Sequence, residues 1–224
     1  MVHFLAGGKT VDVFPGCEPG APLICLNTFS GEGQKVFEAA QAAGCPPFSL
    51  AAVSDLDWNR DMVPWDSPPA FPHGDPCIGG ADEYLRLLAE EILPAVGQYL
   101  AGTPRWRGIA GYSLAGLFAL YALYRTDLFS RAASVSGSLW FPGMKEYVFS
   151  HESRRRPDYL YFSLGDKESK TRNPVLRSVR QDTEEIHAFF REKGIDTVFQ
   201  LNPGNHFTQA AERTAAGLCW LLSR

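Results

Sequence analysis

The sequence predicts an α/β fold, a mostly parallel central sheet with helices on both faces. Three observations predict it. Apolar strand-like runs alternate with helix-period segments along the chain, as in successive strand–helix units. Those runs are near-continuous rather than alternating, as strands covered on both faces require. The chain has 224 residues, 45% of them hydrophobic, which suits one sizeable core. We expect a single domain over residues 1–224, with an irregular, pocket-forming loop at about 55–75.

Taken in order, an early edge strand falls near Thr10–Phe14, before the turn residues Pro15-Gly16. Residues 22–27 (PLICLN) form a buried central strand that ends in the polar, glycine-bearing loop 28–33. A helix then runs from Val36-Phe37 through alanines and stops near Gly44 and Pro46-Pro47. Residues 48–53 form the next strand.

The segment from Asp55 to Gly74 has neither period and is rich in proline and aromatics. A long loop of this kind in a compact domain is commonly functional or disordered, and two tryptophans with paired charges argue for order. Trp58 and Trp65 are candidate pocket walls, with core anchoring as the alternative. Asp57, Arg60 and Asp61 suit a structural ion-pair cluster. His73, in the same loop, is poorly placed for chemistry.

Gly79-Gly80 opens an amphipathic helix through Tyr84, Leu88 and Ile92, which Pro94 kinks or restarts. Residues 107–110 read as a strand end, and 117–124 as a buried helix. Further strands follow at 132–136, 159–164 and 197–201. A helix after Pro174 stops at Gly194, and a closing helix runs through Ala215, Leu218 and Leu221. Trp140, just past the 132–136 strand, is a third candidate pocket residue.

The stretch that carries the chemistry is Gly111-Tyr112-Ser113-Leu114-Ala115-Gly116. A serine between small residues at a strand-to-helix junction is the nucleophile-elbow pattern. The turn strains the serine backbone and packs the chain closely, so only small neighbours fit. The Leu114 N–H then opens a helix and faces any developing oxyanion. The second oxyanion donor is expected from the loop after the 22–27 strand, from the backbone N–H of Thr28 or Phe29. The alternative is a serine that merely caps a buried helix.

Two further groups leave later strands on the same side of the sheet. Gly165-Asp166-Lys167-Glu168 follows the 159–164 strand, and Gly204-Asn205-His206 follows the 197–201 strand. Serine needs a base to take its proton, and the base needs an acid to fix its tautomer. Ser113, then Glu168 or Asp166, then His206 is the chain order of an α/β-hydrolase triad. Glu168 is preferred as the acid because it stands three positions past a strand-end glycine, and Asp166 is the alternative. His187 lies in a helix and suits packing or the surface, and His3 and His151 are poorly placed.

These pieces resemble the Putative esterase family of α/β hydrolases, which includes esterase D-like enzymes, feruloyl esterases, mycolyltransferases and enterochelin (siderophore) esterases. The residues that carry the resemblance are 26–29 (LNTF), 57–61 (DWNRD), 111–116 (GYSLAG), 136–140 (SGSLW), 165–168 (GDKE) and 204–207 (GNHF). They span most of the chain in the right order, and together they are far more specific than any one alone. The 136–140 segment resembles the siderophore-esterase branch in particular. The resemblance implies serine esterase chemistry through Ser113, His206 and Glu168, with no cofactor. Set against the enterochelin esterases these 224 residues are short, and we expect no counterpart among them of the N-terminal lid-like domain.

The expected function is therefore a serine hydrolase that cleaves carboxylic esters of small molecules through an acyl-enzyme. An acyltransferase or thioesterase with the same triad is the first alternative. A non-catalytic hydrolase-fold binding protein is the second.

The totals exclude other classes. A formal net charge of -4 with no long basic run argues against nucleic acid. Arg154-Arg155-Arg156 is too short a cluster to change that. No apolar run approaches a membrane span, and no secretory pattern opens the chain. Five cysteines, Cys17, Cys25, Cys45, Cys77 and Cys219, show no metal-binding spacing. We therefore expect no metal, and a reduced, cytoplasmic protein, with Cys25 and Cys219 as core thiols. The sequence leaves homo-oligomer formation open.

Overall fold

The structure, a computed structural model, describes residues 1–70 and 74–224. His73 lies outside the described residues, as does the part of the 55–75 loop from 71 to 73. The strands are β1 (Val2–Ala6), β2 (Lys9–Phe14), β3 (Leu23–Asn27), β4 (Ser49–Ser54), β5 (Arg107–Tyr112), β6 (Arg131–Val135), β7 (Tyr159–Gly165) and β8 (Asp196–Asn202). They form an eight-stranded sheet in the order β1-β2-β4-β3-β5-β6-β7-β8. β1 and β2 pair antiparallel, as do β2 and β4, and every later pair is parallel. β3 and β6 are buried at every position, and β5 and β7 nearly so. That burial explains their unbroken apolar character.

The helices are α1 (Gly33–Ala42), α2 (Trp58–Asp61), α3 (Ala81–Leu87), α4 (Leu93–Gly97), α5 (Leu114–Arg125), α6 (Met144–Ser150), α7 (Pro174–Arg177), α8 (Val179–Glu192) and α9 (Ala210–Leu222). One core cluster joins one face of the sheet to α3, α4, α5, α6 and α8. The other cluster joins the opposite face to α1 and α9. α5 is buried from Leu114 to Tyr124, as its apolar sequence requires. Among the described residues, no helix is long and apolar enough to cross a membrane.

The expected strands and major helices are present, with five differences. β1 was not expected, and it takes the edge: the strand near Thr10–Phe14, expected there, is β2 and pairs on both sides, with β1 and β4. The signal for β1 is a two-residue Gly7-Gly8 loop, with both glycines at positive φ, between paired Ala6 and Lys9. The helix around Pro94 is interrupted by a π turn at Leu88–Ile92, and α4 restarts beside the proline. A proline has no N–H to continue the ladder, and the wider turn absorbs the loss. The helix after Pro174 breaks at Ser178 into α7 and α8. α6 follows Gly143 (φ 82) and was not expected. The 55–75 loop holds one helical turn, α2, and a bridge between Ser67 and Cys77.

Of Asp57, Arg60 and Asp61, the last two form an ion-pair cluster with Lys9 and Glu83, and Asp57 joins it through its backbone N–H alone. Buried Asp61 accepts from Lys9 Nζ at 2.5 Å and from the Asp57 N–H at 3.0 Å. Arg60 pairs with Asp61 at 3.6 Å and also with Glu83. The cluster ties the loop to β2 and α3.

The cysteine reading needs correction. Cys25 is a core thiol, and its complete burial pushes its pKa up to about 12. Cys219 is not a free thiol. It is disulfide-bonded to Cys45, with Cα atoms 4.8 Å apart, and joins α9 to the end of α1. The partners are 174 residues apart, so no local spacing signals the pair. An odd cysteine count therefore does not mean that all five are reduced.

Candidate active site

Ser113 stands between β5 and α5 at φ 60 and ψ −124, a conformation that side chains rarely adopt. The surrounding structure holds it there. The Ser113 N–H donates to Val135 O at 3.1 Å, and Ser113 O accepts from the Ser138, Gly116 and Leu117 N–H groups. A Cβ on Gly111 would lie 2.3 Å from the Ala115 carbonyl carbon. One on Gly116 would lie 2.9 Å from Gly137 Cα. The small residues of the motif are thus contact requirements. Ser138, itself buried, brings its Oγ to 3.4 Å from Ser113 Oγ.

The end of β8 carries His206 back over the serine. His206 Nε2 is 3.1 Å from Ser113 Oγ, and His206 Nδ1 is 2.8 Å from Glu168 Oε2. Glu168 lies past the end of β7 with a side chain only 5% exposed. Its other oxygen, Oε1, accepts from Ser136 Oγ at 2.7 Å and from the Gly165 N–H at 2.5 Å. Burial pushes the Glu168 carboxyl up. The hydrogen bonds from His206, Gly165 and Ser136, with the His206 charge, outweigh it and hold Glu168 below its ordinary value. Asp166, the alternative acid, accepts from the Gly204 N–H at 2.7 Å. It fastens the turn before His206, whose ring nitrogens meet Glu168 and Ser113 instead.

The Leu114 N–H opens α5 beside Ser113, at the positive end of a long buried helix. Thr28 does not fit the second oxyanion position. Its N–H and its Oγ1 both reach Val53 O at 2.9 Å, continuing the β3–β4 ladder. Phe29, one residue on, is left as the candidate from that loop.

The three tryptophans separate. Trp58 meets exposed Phe29 edge to face at 5.1 Å, on the loop after β3. Trp65 is an anchor rather than a pocket wall. Its Nε1 donates to Pro142 O at 2.8 Å, and its ring packs on Tyr121, Phe141 and Tyr147. Trp140 is half-buried against Phe141. Two clefts, of about 400 and 360 Å³, lie elsewhere, around Tyr147 and His151 and around Ser67 and Cys77. Neither includes Ser113, Glu168 or His206.

Among the described residues, no group of three or more His, Cys, Asp or Glu side chains is arranged to hold a metal ion. Sequence reasoning did not single out Ser136, Ser138, Tyr112 or Arg213 as members of this site. The two serines stood in the noted 136–140 segment, and Tyr112 in the elbow itself. Nothing local marks Arg213, a charge buried by the fold.

The strand order and the helices on both faces define an α/β-hydrolase fold. The family model described as "Putative esterase" matches residues 31–209, and the chain belongs to that family. Among characterised folds it is similar to the siderophore hydrolase EstA from Aspergillus nidulans, at 19% identity, TM-score 0.71, covering 96% of this chain and 90% of that one. An IroE-like serine hydrolase from Shewanella oneidensis matches at 17% identity and TM-score 0.77, covering 96% and 76%. The enterobactin esterase FES from Shigella flexneri matches at 17% identity and TM-score 0.72, covering 99% of this chain and 58% of that one. A Bacillus subtilis (strain 168) relative, described as uncharacterized protein YbbA, is 22% identical over 182 residues, 78% of this chain and 73% of its own.

Proposed function

We propose that this protein is a serine hydrolase of carboxylic esters, with Ser113, His206 and Glu168 as its triad. The observation that carries the reading is the unbroken path from Ser113 Oγ through His206 to Glu168, at 3.1 and 2.8 Å. Membership of the esterase family supports it independently.

Ser113 Oγ attacks the ester carbonyl as His206 Nε2 takes its proton. The carbonyl oxygen becomes an oxyanion, held by the Leu114 and Phe29 N–H groups, each worth about 3 kcal/mol to the transition state. The C–O bond to the alcohol breaks as His206 returns the proton to the leaving oxygen. Water, deprotonated by His206, then attacks the acyl-enzyme and releases the acid and free Ser113. Glu168 keeps the Nδ1 proton in place throughout and stabilises the imidazolium. The chemistry needs no cofactor.

The test compares wild type with Ser113→Ala on p-nitrophenyl esters of increasing acyl length, with fluorophosphonate labelling alongside. Siderophore esters belong in the panel, because the named neighbours include siderophore hydrolases and an enterobactin esterase. The expected result is turnover and labelling in wild type, with kcat reduced by about 10⁴-fold or more in the variant. Wild type that neither turns over nor labels would overturn the reading.

A further inference from the structure

Arg213 has no part in the steps above, yet it is one of the most deeply buried charges in the described chain, 3% exposed. It sits in the first turn of α9, where a cation opposes the positive end of the helix. Burying a guanidinium there is costly unless its donors are used. The two Nη groups are used on one segment, while the buried Nε has no hydrogen-bond partner among the described residues. Nη2 donates to Pro203 O at 2.8 Å, and Nη1 donates to Asn205 O at 3.0 Å. Both carbonyls belong to the turn that delivers His206. The same Nη1 lies 3.5 Å from Glu168 Oε1 and 3.4 Å from Tyr112 Oη. Tyr112 in turn donates to the His206 carbonyl at 2.6 Å.

The space around this centre is tight. A Cβ on Gly165 would fall 2.4 Å from Gly204 O and 3.1 Å from Arg213 Nη1. Gly204 holds φ 109, a conformation open to glycine, and a Cβ there would fall 2.6 Å from Thr208 Oγ1. The cation faces Glu168 Oε1, while Oε2 faces His206. Arg213 is thus positioned to fix both partners of the His206–Glu168 bond without touching a reacting atom.

We propose that Arg213, with Tyr112, is a positioning residue: it clamps the His206 turn and the far side of the Glu168 carboxylate, so that the imidazole is held in register with Ser113. The proposal rests on the triad reading for its catalytic consequence, but the clamp itself is a matter of geometry.

The experiment uses the full chain and the variants Arg213→Lys, Arg213→Met and Tyr112→Phe. Lysine keeps the charge but cannot span two carbonyls. Phenylalanine keeps the ring and removes only the bridging hydroxyl. Two readouts are taken together: kcat and KM on a p-nitrophenyl ester, and the low-field NMR signal of the His206 Nδ1 proton, assigned by its loss in a His206→Gln control. We expect a tenfold or larger fall in kcat for both Arg213 variants and a several-fold fall for Tyr112→Phe, with KM within about twofold. The Nδ1 proton signal should broaden or vanish in step. Full kcat with an unchanged proton signal in Arg213→Lys and Tyr112→Phe would overturn the proposal, even if Arg213→Met does not fold. A KM rise with normal kcat would also overturn it. If wild type cleaves no ester and takes no fluorophosphonate, the hydrolase reading fails, while the proton signal still decides whether the clamp exists.

Discussion

The Ser136 hydroxyl donates to Glu168 Oε1 at 2.7 Å, joining the end of β6 to the carboxylate that follows β7. Ser136 is buried and holds φ 44, in the left-handed region, as it does so. A strained, buried donor aimed at a buried carboxylate has a ready reading: it helps keep Glu168 ionised and facing His206. Ser136→Ala removes that donor and leaves the backbone requirement unchanged. The expected result is a loss of about 1.5–3 kcal/mol of folding stability and a several-fold fall in kcat. Urea unfolding and steady-state kinetics check it, and wild-type values in both would sink the role.

The two carboxylates after β7 have different partners, which predicts opposite mutant behaviour. Glu168 Oε2 meets His206 Nδ1, whereas Asp166 Oδ1 meets the Gly204 N–H. Glu168→Gln removes the charge opposite the imidazolium and offers a wrong hydrogen-bond pattern, so kcat should fall by about 10³–10⁴-fold. Asp166→Asn keeps an oxygen for the Gly204 N–H, and kcat should stay within a few-fold of wild type. The reverse ranking would make Asp166 the acid.

Gly111 makes the elbow a steric prediction. Its Cβ would meet backbone and Cβ atoms of Ala115 at 2.3 to 2.5 Å, and α5 is too deeply packed to retreat. Gly111→Ala should cost about 1–3 kcal/mol, read as a Tm lower by roughly 3 to 10 °C. It should also slow fluorophosphonate labelling by more than tenfold, because the shift is delivered directly to Ser113. A stable variant that labels at the wild-type rate would mean that the elbow is looser than its contacts imply.

How much of this was readable beforehand depends on whether the information is local. The elbow is local: six consecutive residues carry both the turn and the reason for its small side chains. Glu168 and His206 were legible because each follows a strong strand signal, and strand ends on one side of a parallel sheet converge. Thr28 misled because sequence does not show where a strand's last ladder bond falls. That bond, to Val53, consumes the N–H that an oxyanion would need. Trp65 offered two roles, and only its partners on α5 and α6 choose between them. Cys45–Cys219 and the contacts of Arg213 join residues far apart in the chain, and composition and period are blind to such pairs.

The last prediction concerns acid stability and rests on His187. It lies in α8 against Phe162 and Phe199, with a buried Nε2 that has no hydrogen-bond partner among the described residues. Burial lowers its pKa, the Thr197 backbone contact opposes that, and the nearby Arg191 charge adds to it. The sign follows from proton uptake. As pH falls below about 6.5, the unfolded chain protonates His187 while the folded chain does not, so stability falls through that window. Glu168 acts in a separate, lower window: its depressed carboxyl contributes stability that is lost only as pH drops below about 4.3. His187→Phe removes the first effect and keeps an aromatic ring in the same place. The Tm of the variant relative to wild type should therefore rise as pH is lowered from 7 to 5, with the ester-hydrolysis rate at pH 7 unchanged. A Tm difference that stays constant across that range would show that His187 protonates as readily folded as unfolded, and the buried Nε2 would then need another partner.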